Sequence, residues 1–436
     1  MARSANTAKT KHATIQGNRI QTFFLQGSRD IAMPRLILLM AVLALTVLGI
    51  VMVYSSSTIE AMNEGASATS YMASQALYAV VAIAGCLFVA RAIPYYRWLG
   101  RLLDVFWIIS LILLILVWAI GLAALGAQRW LVLGPISFQP SEFAKVVFVL
   151  TMARIMYESR TQDLSTNQFW LRIGLFVVAP LLLLYFAQSD LGTTLICIVG
   201  ILAVVWLGDV PLKEFVTALL VLFALGLLAV FMVGYRSDRL SFMNPQDDYY
   251  GAGYQLSRSF YAFGEGGLFG VGLGNSTEKY LYLPEAETDF IYAIIGEELG
   301  LFGALIVLFL SLLILYAGMN IARKAPDMFG SMVAGGCTVM LVFQALLNIS
   351  CVTGLLPTTG KPLPFVSSGG SSLVGSFLLV GIILSVSFAS GADSGVYQKR
   401  REEFKVVPGG MGRGRDSARA GKRAGSGSGG SRKARR

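Results

Sequence analysis

The sequence predicts an all-α polytopic membrane protein with about ten transmembrane helices. Three observations carry that expectation. Hydrophobic residues make up 55% of the chain and charged residues 14%, where a soluble domain carries about 25% charged. Mean hydropathy is +0.65. Apolar runs close to the ~20 residues that cross a bilayer recur along most of the chain.

Residues 1–33 form a polar tail with Arg3, Lys9, Lys11, Arg19 and Arg29, expected to be cytoplasmic. Apolar spans follow at 34–54, 73–93, 102–125, 141–157, 169–187, 191–208, 212–235, 289–318, 328–350 and 372–394. The 141–157 span is the shortest and begins polar. Arg91, Arg97 and Arg101 follow the second span, Arg154 and Arg160 the fourth, and Arg323 and Lys324 the eighth. The positive-inside rule makes that side cytoplasmic, with both termini on it. The 55–72 loop carries Glu60 and Glu64 and no basic residue, as suits an outer loop. Residues 34–395 are thus expected to be one domain in the cytoplasmic (inner) membrane.

Residues 396–436 read as a disordered basic cytoplasmic tail, rich in Gly, Ser, Arg and Lys. From Tyr397 onward it carries 13 Lys or Arg against 3 Asp or Glu, the whole formal excess of +10. Attraction to anionic lipid, at about 1 kcal/mol per basic residue near the surface, is its expected role. No nucleic-acid partner is expected. Cys86, Cys197 and Cys337 lie in apolar runs and Cys351 near a loop, which is no disulfide framework. The one histidine, His12, is in the tail, so a His base or His-based metal site in the core is excluded.

Residues 236–288 form an outer loop of 53 residues, rich in Tyr, Gly and charge. Long loops in compact domains are usually functional. Residues 257–263 predict a short amphipathic helix on the membrane surface. The glycines of 264–274 lack the strand that precedes a dinucleotide loop and read as tight turns. Low local stability in such a loop lets a partner raise activity by population shift. A rigidifying change such as Gly266→Ala is then expected to replace the partner in part, where geometry permits.

The loop leads into LYLPEAETDFIYAIIGEELG, Leu281 to Gly300. If Asp289 opens a helix, Glu297 lies about 12 Å deeper and within roughly 80° of the same face. Helix capping explains Asp289 but leaves Glu297 and Glu298 unexplained. Ionisable groups in a membrane helix are costly and usually functional.

Three further clusters face the same outer side. GAQRWLVLGPISFQPSEFAK (126–145) places Arg129 in a loop, with Glu142 and Lys145 one turn apart behind Pro140. That pair is either a local ion pair or, as is usual in a membrane, one that faces a cavity or a bundle interior. QSDLGTTL puts Asp190 and Thr193 at the outer start of a span. NISCVTGLLPTTGKPLPFVSSGGSS (348–372) is too rich in Pro, Gly and Ser for a lipid-facing span, so it must line protein or water.

A carboxylate ringed by Arg and Lys suits a general base that activates a hydroxyl against a substrate with an anionic leaving group. Glycoside hydrolysis needs a second carboxyl to protonate its leaving group, whereas a diphosphate needs cations. The residues leave two readings open, a lipid-phosphate sugar transferase and a transporter whose charges bind cargo. Structural packing of the charges is a third.

At this point the chain resembles the SEDS family (shape, elongation, division and sporulation; the FtsW/RodA/SpoVE group). The resemblance spans about residues 34–395 and includes GAQRW, FQPSEFAK, DLGTT, GYQLSRS, GGLFGVGLGNS, LPEAETDFIYAIIGEELG and PLPFVSSGGSS. It implies a ten-helix peptidoglycan glycosyltransferase that polymerises lipid II outside the membrane beside a class B penicillin-binding protein and other division proteins. It places the essential carboxylate at Asp289. Arg129, Glu142, Lys145, Asp190, Arg258, Lys279, Ser367 and Ser368 are the expected substrate contacts. A divalent cation, Mg2+ or Mn2+, is expected to accompany the diphosphate, and a lipid II flippase remains the alternative.

LPEAETDF and LLPTTG resemble the division and sporulation branch more than the elongation branch. Three positions depart from the family pattern. Ser189 replaces a proline, Lys361 stands where an apolar residue is usual, and Glu287 replaces a frequent histidine, making the approach to Asp289 more acidic.

Overall fold

The computed structural model describes residues 29–220 and 253–390, except 64, 125–126, 134–135, 163, 218 and 281. The predicted N-terminal tail (apart from its last few residues), the C-terminal tail, most of the 212–235 span and residues 236–252 of the large loop lie outside the described residues.

The helices in chain order are α1 (Arg29–Asn63), α2 (Ser70–Ala92) and α3 (Arg101–Ile120). They continue with α4 (Ser141–Thr161), α5 (Thr166–Ala187), α6 (Leu191–Leu207) and α7 (Tyr254–Gly266). The last three are α8 (Ile291–Arg323), α9 (Met328–Val352) and α10 (Gly370–Ser390). Among the described residues seven are long and apolar enough to cross a membrane: α1, α2, α3, α5, α8, α9 and α10. Two predicted spans fall outside that group for physical reasons. The α4 helix carries Glu142, Lys145, Arg154, Glu158 and Arg160, and α6 has only 17 residues.

Burial sorts the bundle into centre and rim. The apolar window of α9 is 83% buried and that of α10 78%, against 17% for α5. Around this centre α10 packs on α2, α1 on α8, and α4 on α6. Most of the charged α4 is buried, and its buried Glu142 and Lys145 pair with each other inside the protein. Arg35, fully buried in α1, is satisfied by Ser387 of α10, donating Nε to Oγ at 2.9 Å and Nη2 to the carbonyl at 2.8 Å.

Three expectations need correction. The first helix extends to Asn63, well past the predicted boundary at 54, because 55–63 continues helical and packs Ser55 and Ser57 inside. The third predicted span stops at Ile120 and not 125, because a small three-stranded antiparallel sheet of β1 (Leu122–Ala124), β2 (Ala127–Leu133) and β3 (Ile136–Phe138) follows it within the otherwise helical fold. Asp289 does not open a helix, since α8 begins at Ile291 with Phe290 as an N-cap that makes no side-chain capping bond. Capping therefore does not account for Asp289.

The predicted amphipathic helix at 257–263 lies within α7, which packs on α8. Beyond it, residues 266–272 run beside a break in α8 at Gly300, whose φ is +68°. The two backbones satisfy each other there. Val271 N donates to Glu297 O at 2.9 Å and Gly272 N to Glu298 O at 3.0 Å; Leu301 N returns to Gly267 O at 2.9 Å. A broken helix inside a membrane protein persists only where protein meets the freed groups in this way. A Cβ on Gly266 would lie 2.0 Å from Gly296 O, so Gly266→Ala cannot rigidify the loop as expected.

A Cβ at Gly300 would meet Gly270 N at 2.4 Å and Leu268 O at 2.5 Å, while one at Gly264 meets nothing within 4 Å. Gly300→Ala is expected to cost at least ~2 kcal/mol, about half from the left-handed φ and the rest from the contact. Thermal unfolding in detergent should show a melting temperature several degrees lower, with Gly264→Ala unchanged or slightly higher. Equal melting temperatures for the two variants would place the loop elsewhere.

Candidate active site

Asp289 sits in the short segment between the outer loop and α8, held through its backbone. Asn348 of α9 donates Nδ2 to Asp289 O at 2.7 Å. Ser367 Oγ donates to Thr288 O at 2.6 Å, and Ser368 N donates to Glu287 O at 2.8 Å. Two predicted substrate contacts, Ser367 and Ser368, thus fix the carboxylate's position instead. The Asp289 carboxyl is partly exposed and lines a cavity of about 10 Å³ with Asn348, Thr358, Thr359 and Lys361. That volume admits about one water molecule. No hydrogen bond to the carboxylate is made among the described residues.

Two cations, Lys361 and Arg129, act on Asp289. Lys361, 2% exposed, bonds Asp190 with Nζ to Oδ2 at 2.8 Å. Arg129 on β2 donates to Ser189 O at 2.6 Å and Gln188 O at 3.3 Å, and forms no ion pair among the described residues. Burial and the neighbouring Glu285 push Asp289 up to about 6, with Lys361 and Arg129 pulling against them. Asp190 goes the other way. Burial opposes its charge, but Lys361, Arg129 and the Thr193 N–H together hold it down at about 2. Asp190 is fully buried and pairs with Lys361.

Ser189 adopts φ +49°, a left-handed conformation closed to proline. The departure from the family pattern at this position therefore comes with its own turn geometry. Glu287 also differs from expectation. Burial, with Glu60 beside it, raises its carboxyl, which weakens the negative charge it brings near Asp289.

The other predicted contacts stand apart from the cavity. Lys145 Nζ lies 2.7 Å from both Glu142 Oε2 and Gln344 Oε1, with the two charged side chains 0% and 1% exposed. Its ammonium bonds across to α9 inside the bundle, as the bundle-interior reading has it. Lys279 is likewise buried, reaching Glu298 Oε1 at 3.3 Å and the Gly274 carbonyl. Glu298 accepts Ser55 Oγ at 2.6 Å, and Glu297 accepts Ser276 Oγ at 2.6 Å and Glu278 N at 3.3 Å. The two glutamates that called for a function are therefore the anchors that tie the outer loop to α8 and α1. Arg258 of α7 pairs with Glu278 at 3.4 Å and lies over the rings of Tyr254 and Tyr282 at 5.2 and 4.9 Å.

Lys361 and Asn348 are the site residues missing from the predicted set. Lys361 had a signal, a charge in place of an apolar residue within a polar loop. Asn348 had none beyond its place at the start of that loop.

Lys145→Met is expected to strand the buried Glu142 charge and cost about 3–5 kcal/mol, with Glu142→Gln/Lys145→Met recovering most of the loss. Thermal unfolding of the three proteins measures this. Wild-type stability in Lys145→Met with activity alone lost would restore Lys145 to the substrate site.

Comparison with known proteins identifies the family. Residues 35–391 match the FtsW/RodA/SpoVE cell cycle protein family. Stage V sporulation protein E of Bacillus subtilis is 36% identical over 357 residues, covering 81% of this chain and 97% of that protein. A probable peptidoglycan glycosyltransferase FtsW of Trichlorobacter lovleyi is 38% identical over 357 residues, covering 81% and 92%. A solved chain from a peptidoglycan synthase complex that coordinates polymerization and crosslinking superposes with TM-score 0.65 at 25% identity, covering 82% and 98%. Thermus thermophilus rod shape determining protein RodA superposes with TM-score 0.57 at 27% identity, covering 80% and 95%. With the family matched over nearly the whole bundle, the chain belongs to the FtsW/RodA/SpoVE family of multi-span membrane proteins.

Proposed function

We propose that this chain is a peptidoglycan glycosyltransferase that polymerises lipid II on the outer face of the cytoplasmic membrane during cell division. One observation carries the chemistry: an Asp289 carboxyl with free lone pairs, raised to about 6, in a small cavity beside Lys361 and near Arg129. A base should titrate just below the working pH and hold no competing hydrogen bond.

The reaction needs little else. Asp289 takes the proton of an acceptor sugar hydroxyl as its oxygen bonds the donor's anomeric carbon. The bond from that carbon to the diphosphate breaks, and the diphosphate leaves with the electron pair. Backside displacement of this kind inverts the anomeric centre. Arg129, partly exposed and outside any ion pair among the described residues, is placed to meet the anionic leaving group. A divalent cation, Mg2+ or Mn2+, belongs to the proposal as a companion of the diphosphate.

The similarity to a chain of a peptidoglycan synthase complex supports a penicillin-binding protein as partner. Other division proteins, and anionic lipid at the basic tail, extend the proposal beyond the described residues.

Polymerisation of purified lipid II tests this reading. Asp289→Asn keeps size and removes the base, so the rate should fall by about 10²–10⁴-fold with folding intact. For the wild type, kcat/KM should lose half its value near pH 6 as Asp289 takes up its proton, where an ordinary carboxylate would stay active to about pH 4. Near-wild-type polymerisation by Asp289→Asn contradicts the assignment. Lipid II translocation across vesicles without any polymer would make the chain a transporter.

A further inference from the structure

Asp289 and Lys361 line one cavity, and a single side chain fastens them together. The Asn348 amide donates to Asp289 O at 2.7 Å and to Lys361 O at 2.8 Å. Yet no ion pair joins Lys361 to Asp289 among the described residues. The ammonium turns to Asp190 instead, at 2.8 Å. Asp190 cannot follow it back. Its Oδ1 accepts Thr193 N at 3.0 Å, its Oδ2 accepts Thr193 Oγ1 at 2.8 Å, and Ser141 Oγ stands 3.5 Å away. The lysine stem lies against Gly192, where a Cβ would come 2.6 Å from Lys361 Cγ.

We propose that Asp190 is a tether that holds the Lys361 ammonium within electrostatic reach of Asp289 but out of direct contact with it. The proposal rests on the reading of Asp289 as the base. A lysine bonded to Asp289 would occupy the lone pairs that must accept the acceptor's proton. With no cation near, a carboxyl in so enclosed a place would stay protonated. Anchoring the cation on a second carboxylate avoids both outcomes. Asp190 is then a positioning residue, acting through Lys361 and not on substrate.

The charged and titratable groups around Asp289 give the tether definite signs. Glu285 precedes it in the chain, Asp190 stands before α6, Lys361 in the loop after α9, Arg129 on β2, and Cys351 on α9. Lys361 and Arg129 favour the charged form, and Glu285 and Asp190 oppose it.

Labelling with dicyclohexylcarbodiimide, which attacks protonated carboxyls, reads the protonation of Asp289 without turnover. The full chain in nanodiscs is labelled across a pH series and Asp289 modification is quantified by peptide mass spectrometry. Asp190→Asn removes an anion and frees Lys361 to swing onto Asp289, so the labelling midpoint should fall by about one pH unit or more. Lys361→Met removes the cation, and the midpoint should rise by about as much. Asp190→Asn/Lys361→Met should lie between the two. Should Lys361→Met fail to fold with Asp190 unpaired, the double variant against Asp190→Asn carries the same test, and the double must titrate higher. An unchanged or raised midpoint in Asp190→Asn, or a double variant that titrates no higher than it, overturns the tether. Wild-type protein inactive on lipid II would sink the functional reading alone, since the labelling does not depend on it.

Discussion

A charge enclosed in a membrane bundle needs a partner within hydrogen-bond reach, and this fold is arranged around that requirement. Removing one member of a buried pair leaves several kcal/mol of uncompensated desolvation. Three lysine–carboxylate pairs meet it here: Glu142 with Lys145, Glu298 with Lys279, and Asp190 with Lys361. Each also binds elements together. Gln344 brings α9 to the first pair, Ser55 brings α1 to the second, and the third joins the start of α6 to the loop after α9. Asp289 stands among these pairs with no cation bonded to it. The contrast makes the site: neighbouring charges are spent on structure, and one carboxyl is kept available.

The same economy governs the backbone. The break in α8 at Gly300 frees peptide groups, and residues 266–272 supply the partners. Glu297 and Glu298, on the turn before the break, reach out to the 276–279 turn. Loop, kink and the segment leading to Asp289 are thereby one mechanical unit.

Much of this was legible in the sequence. Hydropathy shows the multi-span class because ~20-residue apolar runs have few other uses. The TDF segment and its polar neighbours single out Asp289, and the motif order identifies the family. What pattern reading missed is pairwise. Nothing local tells that Lys145 faces Gln344, 199 positions on, or that Lys361 faces Asp190, 171 positions back. Without those contacts every outer lysine looks like a substrate ligand, which is why the sequence points to Lys145 and Lys279 as readily as to any cavity-lining lysine. The small sheet at 122–138 escaped for a related reason, since its short strands are set by one another and not by a long periodic run. Asp289's place just before α8 was off by two residues, the ordinary uncertainty of a helix end.

A structure of the wild-type protein with a lipid-linked disaccharide acceptor and an unreactive donor analogue tests the central claim most directly. The distance from the Asp289 carboxyl to the acceptor hydroxyl decides it. The account predicts that oxygen about 2.6–3.2 Å from Asp289, opposite the anomeric bond to the diphosphate. An acceptor hydroxyl bonded to another side chain, with Asp289 turned away from both sugars, would contradict it.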